Sequence, residues 1–464
     1  MTSRTTIRYL KFIPVALMLL SAGCRKEFLS QKPSSNLLIP NSLATLQELL
    51  DNTQVMNMSP ALGEVSADNY FLPDNSWVNL DARDHNAYVW AADIFAGQGQ
   101  DPDWDVPYQQ VFYANTVLHA LADIQPDSSN FLQWKMLKGW ALFSRAFAFY
   151  NIAQLFAEPY RYDSLPAADD PGIPVRLSPD INDKTSRATI KASYDQILND
   201  LYGAEALLPA SIPVNNLNRP SQLAARALLA RVYLSIRNYA SAAASADSVL
   251  GRYSSLLDFD SVAAGATFPF ADNMPEVLWQ SNFPPTGNFL EAFVCSTCLV
   301  DTGLIKSYSP GDLRPTVLFH HRGADSFGLK GSYSGRVFPF SGLATDELYL
   351  IRAECRGRLG DSAGALADLN ALLVHRFQPG TFNPYSDLGG ARLLDIILAE
   401  RRKELPFRGL RWSDLRRLNQ EGRNITLTRE INGQTFVLPP GSDLYTLPIP
   451  PDVIQFSGIR QNPR

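Results

Sequence analysis

Apolar residues recur at helical spacing through two long stretches of the chain, and the stretches between them lose that period. From Tyr108 to Ile124 they fall at Val111, Ala114, Leu118 and Leu121, one face of an α-helix. A short helix is predicted from Asn41-Ser42-Leu43 to about Asp51. A long one is predicted from about Phe131 to Phe156, with Ser128, Ser129 or Asn130 as its N-cap. Pro159, Pro166, Pro171, Pro174 and Pro179 make residues 157–185 loop. Helical spacing returns at about 189–208, 221–236 and 240–250, and again at about 343–359, 362–376, 391–405 and 411–419. Residues 55–107 read as aromatic loop, with Tyr70, Phe71, Trp77, Tyr88, Trp90, Phe95 and Trp104. Residues 252–340 hold only short apolar runs among Gly, Ser and Pro, such as Glu276-Val277-Leu278-Trp279 and Arg336-Val337-Phe338-Pro339, and read as loops with small strands. The tail after 419 reads as Pro-rich loop.

A weak internal repeat pairs the helices. Tyr233-Leu234-Ser235-Ile236-Arg237-Asn238-Tyr239 leads into an alanine run ending at Ala246. Cys355-Arg356-Gly357-Arg358-Leu359-Gly360-Asp361 leads towards Ala365. Each is a helix, a tight Asn or Gly turn and an Ala-rich helix, and small residues let helices approach closely, as in tetratricopeptide hairpins. There is no clean 34-residue period. The predicted fold class is therefore mostly α: a single helical body with tetratricopeptide-like helix pairs, plus an irregular, loop-rich lobe with short strands. The scaffold takes in about 41–51, 108–251 and 343–419, and the lobe about 55–107 and 252–340.

The first 23 residues read differently. Arg4, Arg8 and Lys11 precede an apolar run from Phe12 to Leu20 that is too short to cross a bilayer, which takes about 20 residues. It reads as the apolar region of a secretory signal. Ala22-Gly23-Cys24 resembles a bacterial lipobox, although Ser21 stands where an aliphatic residue is usual. The expectation is a signal peptide over 1–23 and lipid attachment at Cys24, with the mature domain running over 24–464. A triacylated Cys supplies the several acyl chains that stable anchoring needs.

Composition narrows the chemistry. The chain has 464 residues, 45% hydrophobic and 19% charged, which is ordinary globular composition. Its net charge of −5 argues against nucleic acid as a partner, which would require a basic patch. Only Cys24, Cys295, Cys298 and Cys355 occur, too few for a disulfide framework. Cys295-Ser-Thr-Cys298 is a lone CxxC that reads as a local disulfide or two inert thiols before it reads as a redox pair or half a zinc site. Gly360-Asp361-Ser362-Ala363-Gly364 matches the spacing of a nucleophile elbow, but a helical pattern precedes it. It is a helix–helix turn with Asp361 or Ser362 as N-cap. Asp101-Pro-Asp103-Trp-Asp105 begins like a calcium loop but lacks the Gly and the Glu that complete one, and reads as a solvated acidic turn. No motif calls for a cofactor, and none is expected.

The run 394–417 is the most distinctive. Glu400 and Glu404 lie one helical turn apart among Arg401, Arg402 and Lys403, the pattern of an ion-paired helix hairpin. This run resembles the pattern ER-x-x-EL-x-x-x-G-x-R-x-x-DL-x-R of the SusD/RagB family of Bacteroidota outer-membrane nutrient-binding lipoproteins. The match lies at Glu400, Arg401, Glu404, Leu405, Gly409, Arg411, Asp414, Leu415 and Arg417. Other family-like pieces follow in order: Cys24-Arg25-Lys26-Glu27-Phe28-Leu29 with Pro33, Arg145-Ala146 with Tyr150 and Pro159, Ile197-Leu198-Asn199-Asp200-Leu201 with Ala204, Asp312-Leu313-Arg314, 347–354, Leu447-Pro448-Ile449-Pro450 and Gln461-Asn462-Pro463. The Gly-Tyr that usually follows that last Pro is absent, and Arg464 stands in its place.

The resemblance implies a helical body with tetratricopeptide-like pairs and an irregular lobe carrying ligand contacts. It also implies a function: capture of a nutrient, usually a glycan, at the cell surface, and delivery to a SusC-like TonB-dependent transporter in the outer membrane, with no reaction catalysed. Glycan, glycoconjugate and peptide are all open as ligands. A surface glycoside hydrolase and a helical-repeat adaptor without a small-molecule ligand are the alternatives. Sugar rings stack on aromatic faces while amides and carboxylates take their hydroxyls, so exposed aromatics beside Asn on loops mark a candidate site. Two places fit. One is Asn69-Tyr70 with Trp77, where Trp77 and Tyr70 would form a stacking platform. The other is Asn282-Phe283 to Asn288-Phe289, which would supply polar contacts. Trp90 and Trp104 read as packing residues.

Overall fold

Ser42 starts the first helix among the described residues. Its hydroxyl accepts the Thr45 N–H, and Thr45 Oγ1 accepts the Ser42 N–H, so two otherwise unpaired donors are satisfied reciprocally. In the computed structural model, which describes residues 42–163, 170–284 and 298–464, Ser42–Arg464 form one unit. Cys24, the 23/24 boundary, Asn288 and Phe289 lie outside the described residues. The protein is mostly helical. Its main helices are α1 (Leu43–Leu50), α2 (Pro102–Asp123), α3 (Phe131–Phe156), α4 (Ile190–Leu207), α5 (Gln222–Ser235), α6 (Tyr239–Leu250), α7 (Thr345–Arg358), α8 (Ser362–Leu373), α9 (Gly390–Glu404) and α10 (Arg411–Asn419).

Successive helices pack as neighbours: α2 on α3, α3 on α4, α5 on α6, α7 on α8, with α6 and α9 against α7. The repeat-like turns sit where the sequence places them. Asp361 is the N-cap of α8, accepting the Gly364 N–H at 2.8 Å, which makes the Gly-Asp-Ser stretch a helix–helix turn. Asn238 caps α6 in the same way. Helix α3 is buried along most of its length and forms the centre of the core, with Trp140, Phe143, Phe147, Phe149 and Phe156 enclosed.

Among the described residues, eight short strands make four two-stranded antiparallel sheets: β1 (Tyr70–Phe71) with β3 (Leu299–Val300), β2 (Val277–Trp279) with β6 (Leu343–Ala344), β4 (Phe319–His321) with β5 (Phe327–Leu329), and β7 (Leu427–Ile431) with β8 (Gln434–Leu438). Trp279 at the end of β2 inserts edge-on against Phe143 and Phe147 of α3, with ring centroids 4.9 and 4.7 Å away. That wedge joins the lobe to the scaffold.

Several stretches differ from the sequence reading, among them the helices Thr302–Ser307 and Arg314–Leu318 in the lobe. Residues 55–107, read as loop, overlap four short helices (Thr53–Met56, Leu62–Ser66, Asp74–Val78 and Ala82–Tyr88), each too brief to show a period. Helix α2 begins at Pro102, not Tyr108. Asp101 accepts the Asp103 N–H at 2.7 Å, Pro102 occupies the first turn, and the helix tolerates Pro107. The tail contains the β7–β8 hairpin, closed by Asn432 (φ 51°) and Gly433 (φ 74°), the positive-φ pair that a two-residue hairpin turn requires.

The charged run 400–417 is buried and reaches well beyond its own hairpin. Arg401 bonds Asp414 at 2.8 Å and so ties α9 to α10. Glu400 and Glu404 take Arg314 at 2.7 and 3.2 Å, and Glu404 also takes Arg376, which bonds Glu276 at 2.9 Å. Arg417 bonds Glu354 of α7, and Arg411 bonds Asp68 in the lobe at 2.7 Å. The motif residues are rivets between scaffold and lobe. Breaking a buried pair of this kind leaves an uncompensated charge and costs about 3–5 kcal/mol.

Candidate functional site

The residues singled out from sequence separate sharply. Asn69 is buried, and its side-chain NH2 donates to Glu64 Oε1 at 2.8 Å. That glutamate is itself buried, and burial pushes its carboxyl up to about 7. Tyr70 is only 3% exposed. Its hydroxyl donates to the Val65 carbonyl at 2.6 Å, and its ring belongs to a cluster with Tyr88 and Trp90 around the Arg429 guanidinium. A ring enclosed on that scale has no face for a sugar, so the expected Tyr70–Trp77 platform is corrected: the structure does not unite the two. Trp77 is half-buried. It stacks on His85 with centroids 3.7 Å apart and donates its indole N–H to the His85 carbonyl at 3.0 Å. Phe283 is also enclosed, against Gly409, where a Cβ would come within 3.0 Å of its ring. Trp90 and Trp104 are buried packing residues.

Asn282 is different. It is half-buried and lines an open cleft of about 450 Å³. The cleft follows directly from the Trp279 wedge, because Gln280 and Asn282 continue the β2 strand. The Asn282 backbone is fixed on both sides: its N–H donates to the Asn57 carbonyl at 3.0 Å and its carbonyl accepts the Ser59 N–H at 2.9 Å. Side-chain amides dominate the walls. Asn57 donates to the Asn218 and Gln280 carbonyls at 3.0 and 2.8 Å, and Gln280 donates to Asn282 Oδ1 at 2.8 Å. Asn215, Asn216 and Asn273 stand exposed at the rim, beside Phe338 and the exposed Arg336–Asp272 ion pair.

Each amide offers both donors and an acceptor, the complement of a hydroxyl that does both. The Asn57 and Gln280 side-chain oxygens are buried and accept no hydrogen bond from the described residues. Asp272 is the one carboxylate among the described lining residues. Asn282, singled out in the sequence because an aromatic follows it, is one of the residues lining this cleft. Sequence reasoning missed Asn215-Asn216-Leu217-Asn218, whose signal was the density of amides.

The other candidate chemistry resolves into structure. Asp101 and Asp103 are buried, not solvated. They surround Arg83, with Asp103 at 2.9 Å, so a guanidinium takes the place a cation would need. Burial and the neighbouring Asp103 push the Asp101 carboxyl up to about 7. No group of three or more His, Cys, Asp or Glu among the described residues is arranged to hold a metal ion. Cys298 is a buried thiol pushed up by that burial, and Cys295 lies outside the described residues.

Paired helices bearing a loop lobe, with buried arginine rivets between them and an amide-lined cleft in the lobe, define a helical-repeat scaffold protein. Residues 27–234 match the SusD-like family described as starch-binding and associating with the outer membrane, and residues 345–463 match the SusD family. The chain belongs to the SusD/RagB family. Its fold is similar to that of a SusD superfamily protein from Bacteroides thetaiotaomicron (20% identity, 91% of this chain and 100% of that one, TM-score 0.72). It is also similar to a laminarin-binding SusD-like protein (20%, 91% and 98%, 0.65) and to surface glycan-binding protein A from Bacteroides fluxus (16%, 91% and 100%, 0.69). No curated protein matches the chain in sequence. No helix among the described residues is long and apolar enough to cross a membrane.

Proposed function

We propose that this protein is a non-catalytic, cell-surface glycan-binding lipoprotein. It is held to the outer membrane through Cys24 and passes its ligand to a SusC-like TonB-dependent transporter. The observation that carries this reading is the amide cleft at Asn282: a polar, open groove with exposed amides at Asn215, Asn216 and Asn273 and an aromatic residue at Phe338. Family membership and the glycan-binding names of two structural neighbours support it. Glycoside hydrolysis ordinarily uses a pair of carboxylates, and the described lining residues offer one, Asp272.

The test is a glycan array probed with the purified protein, followed by incubation with each bound glycan and assay for new reducing ends. Binding without new reducing ends is expected. New reducing ends would replace this reading with a hydrolase, and an array with no bound glycan would leave the adaptor. Cys24→Ser should move the protein out of the membrane fraction. Retention after a carbonate wash would place the anchor elsewhere.

A further inference from the structure

A second cleft, of about 570 Å³, opens on the scaffold where the turn between α5 and α6 meets the end of α10. Four arginines converge on it: Arg161, Arg237, Arg358 and Arg423. Three have carboxylate partners. Arg161 pairs with Asp163, Arg423 with Asp395, and Arg358 with Glu354 at 2.9 Å and Glu421 at 2.7 Å. Arg237 makes no side-chain hydrogen bond or ion pair among the described residues, and its Nε is buried. Burial, with the Arg161 charge nearby, holds its pKa below the ordinary arginine value, although a guanidinium stays charged at neutral pH.

The backbone adds an independent observation. Arg237 has φ 62°, the left-handed region that side chains disfavour. The matching turn of the other repeat-like pair uses Gly360, φ 89°. Helix pairing alone is served by glycine at this position, so the turn carries a strained residue whose guanidinium makes no hydrogen bond or ion pair among the described residues, although the Glu421 and Asp163 charges lie close enough to act on it. Tyr162, 48% exposed, stands at the same cleft.

We propose that this cleft binds an oxyanion, the carboxylate or sulfate group of an acidic ligand, with Arg237 as its principal contact and Tyr162 beside the ring that bears it. A planar guanidinium suits both groups through paired N–H donors. The site is distinct from the amide cleft and does not depend on it.

The test is calorimetric titration of the purified protein at constant ionic strength with trigalacturonate, a sulfated chondroitin disaccharide, sodium sulfate and a neutral oligosaccharide. Arg237→Gly and Arg237→Asn, which both tolerate the left-handed turn, are titrated alongside. The acidic saccharides should bind, and both variants should weaken that binding roughly tenfold or more while melting at or above the wild-type temperature. Binding of sulfate as well would assign the site to any oxyanion, and binding of the saccharides alone to acidic glycans; both support the proposal. Equal binding by wild type and variants, or heats no larger than those of the neutral control, would overturn it. Neutral-glycan titrations of Arg237→Gly should match wild type, which separates failure here from failure of the cleft at Asn282.

Discussion

Glu354 sits fully buried between Arg417 and Arg358. Burial alone would raise its pKa, but the Arg417 charge and hydrogen bonds, with Arg358 behind them, hold it at about 2. A depressed carboxylate contributes stability that is present above its ordinary value of 4.5 and is lost as pH falls towards 2. Glu354→Gln should therefore cost about 3 kcal/mol at pH 7 in urea unfolding, and the gap to wild type should close between pH 4.5 and 2. A gap that does not change with pH would show that the pair acts through shape alone. Trp77 makes a second case at this scale. Its stacking on His85 and its bond to the His85 carbonyl mark it as packing. Trp77→Ala should lower stability by about 2 kcal/mol, less than a fully buried Trp would, and leave glycan affinity per folded molecule unchanged. A loss of affinity at unchanged melting temperature would restore Trp77 to the site. The sequence showed which residues were aromatic or amide. It did not show which would be enclosed, because Tyr70 is buried by Arg429, 359 positions away, and Phe283 by Gly409. Such contacts leave no local trace.

Among elements, the β7–β8 hairpin turns on Asn432 and Gly433, both at positive φ. Gly433→Val places a β-branched residue in that region, and should destabilise the hairpin by about 1–2 kcal/mol while leaving glycan binding unchanged. Hydrogen exchange of the β7 and β8 amides checks this: protection should fall there and hold in α3. Unchanged protection in the hairpin would mean that the turn does not limit its stability. The Pro-rich tail reads as loop in the sequence, a reading that makes no use of its Asn432-Gly433 pair, a local hairpin signal. The long helices were legible because their apolar faces repeat over several turns, and their capped turns at Asn238 and Asp361 fall where the pattern stops. The four helices between Thr53 and Tyr88 were not, since four to seven residues hold too few turns for a period. The strands of the lobe are two to three residues long, and β1–β3 and β2–β6 pair across long stretches of sequence, so their register was equally hidden.

At the scale of the whole molecule, the family motif and the proposed binding cleft occupy different places. Residues 400–417 rivet α9 and α10 to α7 and to the lobe, while the amide cleft lies on segments with no motif, held by the Trp279 wedge. This explains why the fold was readable from the sequence and the site was only partly so: the scaffold depends on buried charge and helix spacing, and the cleft on loops brought together by folding. The account stands on ligand binding in that cleft. The most direct measurement is calorimetric titration of an array-selected neutral glycan into wild type and the double variant Asn216→Ala/Asn282→Ala, with melting temperatures recorded for both. The account predicts affinity about tenfold weaker or more in the variant, at a melting temperature close to wild type. Wild-type affinity in a folded variant would contradict it.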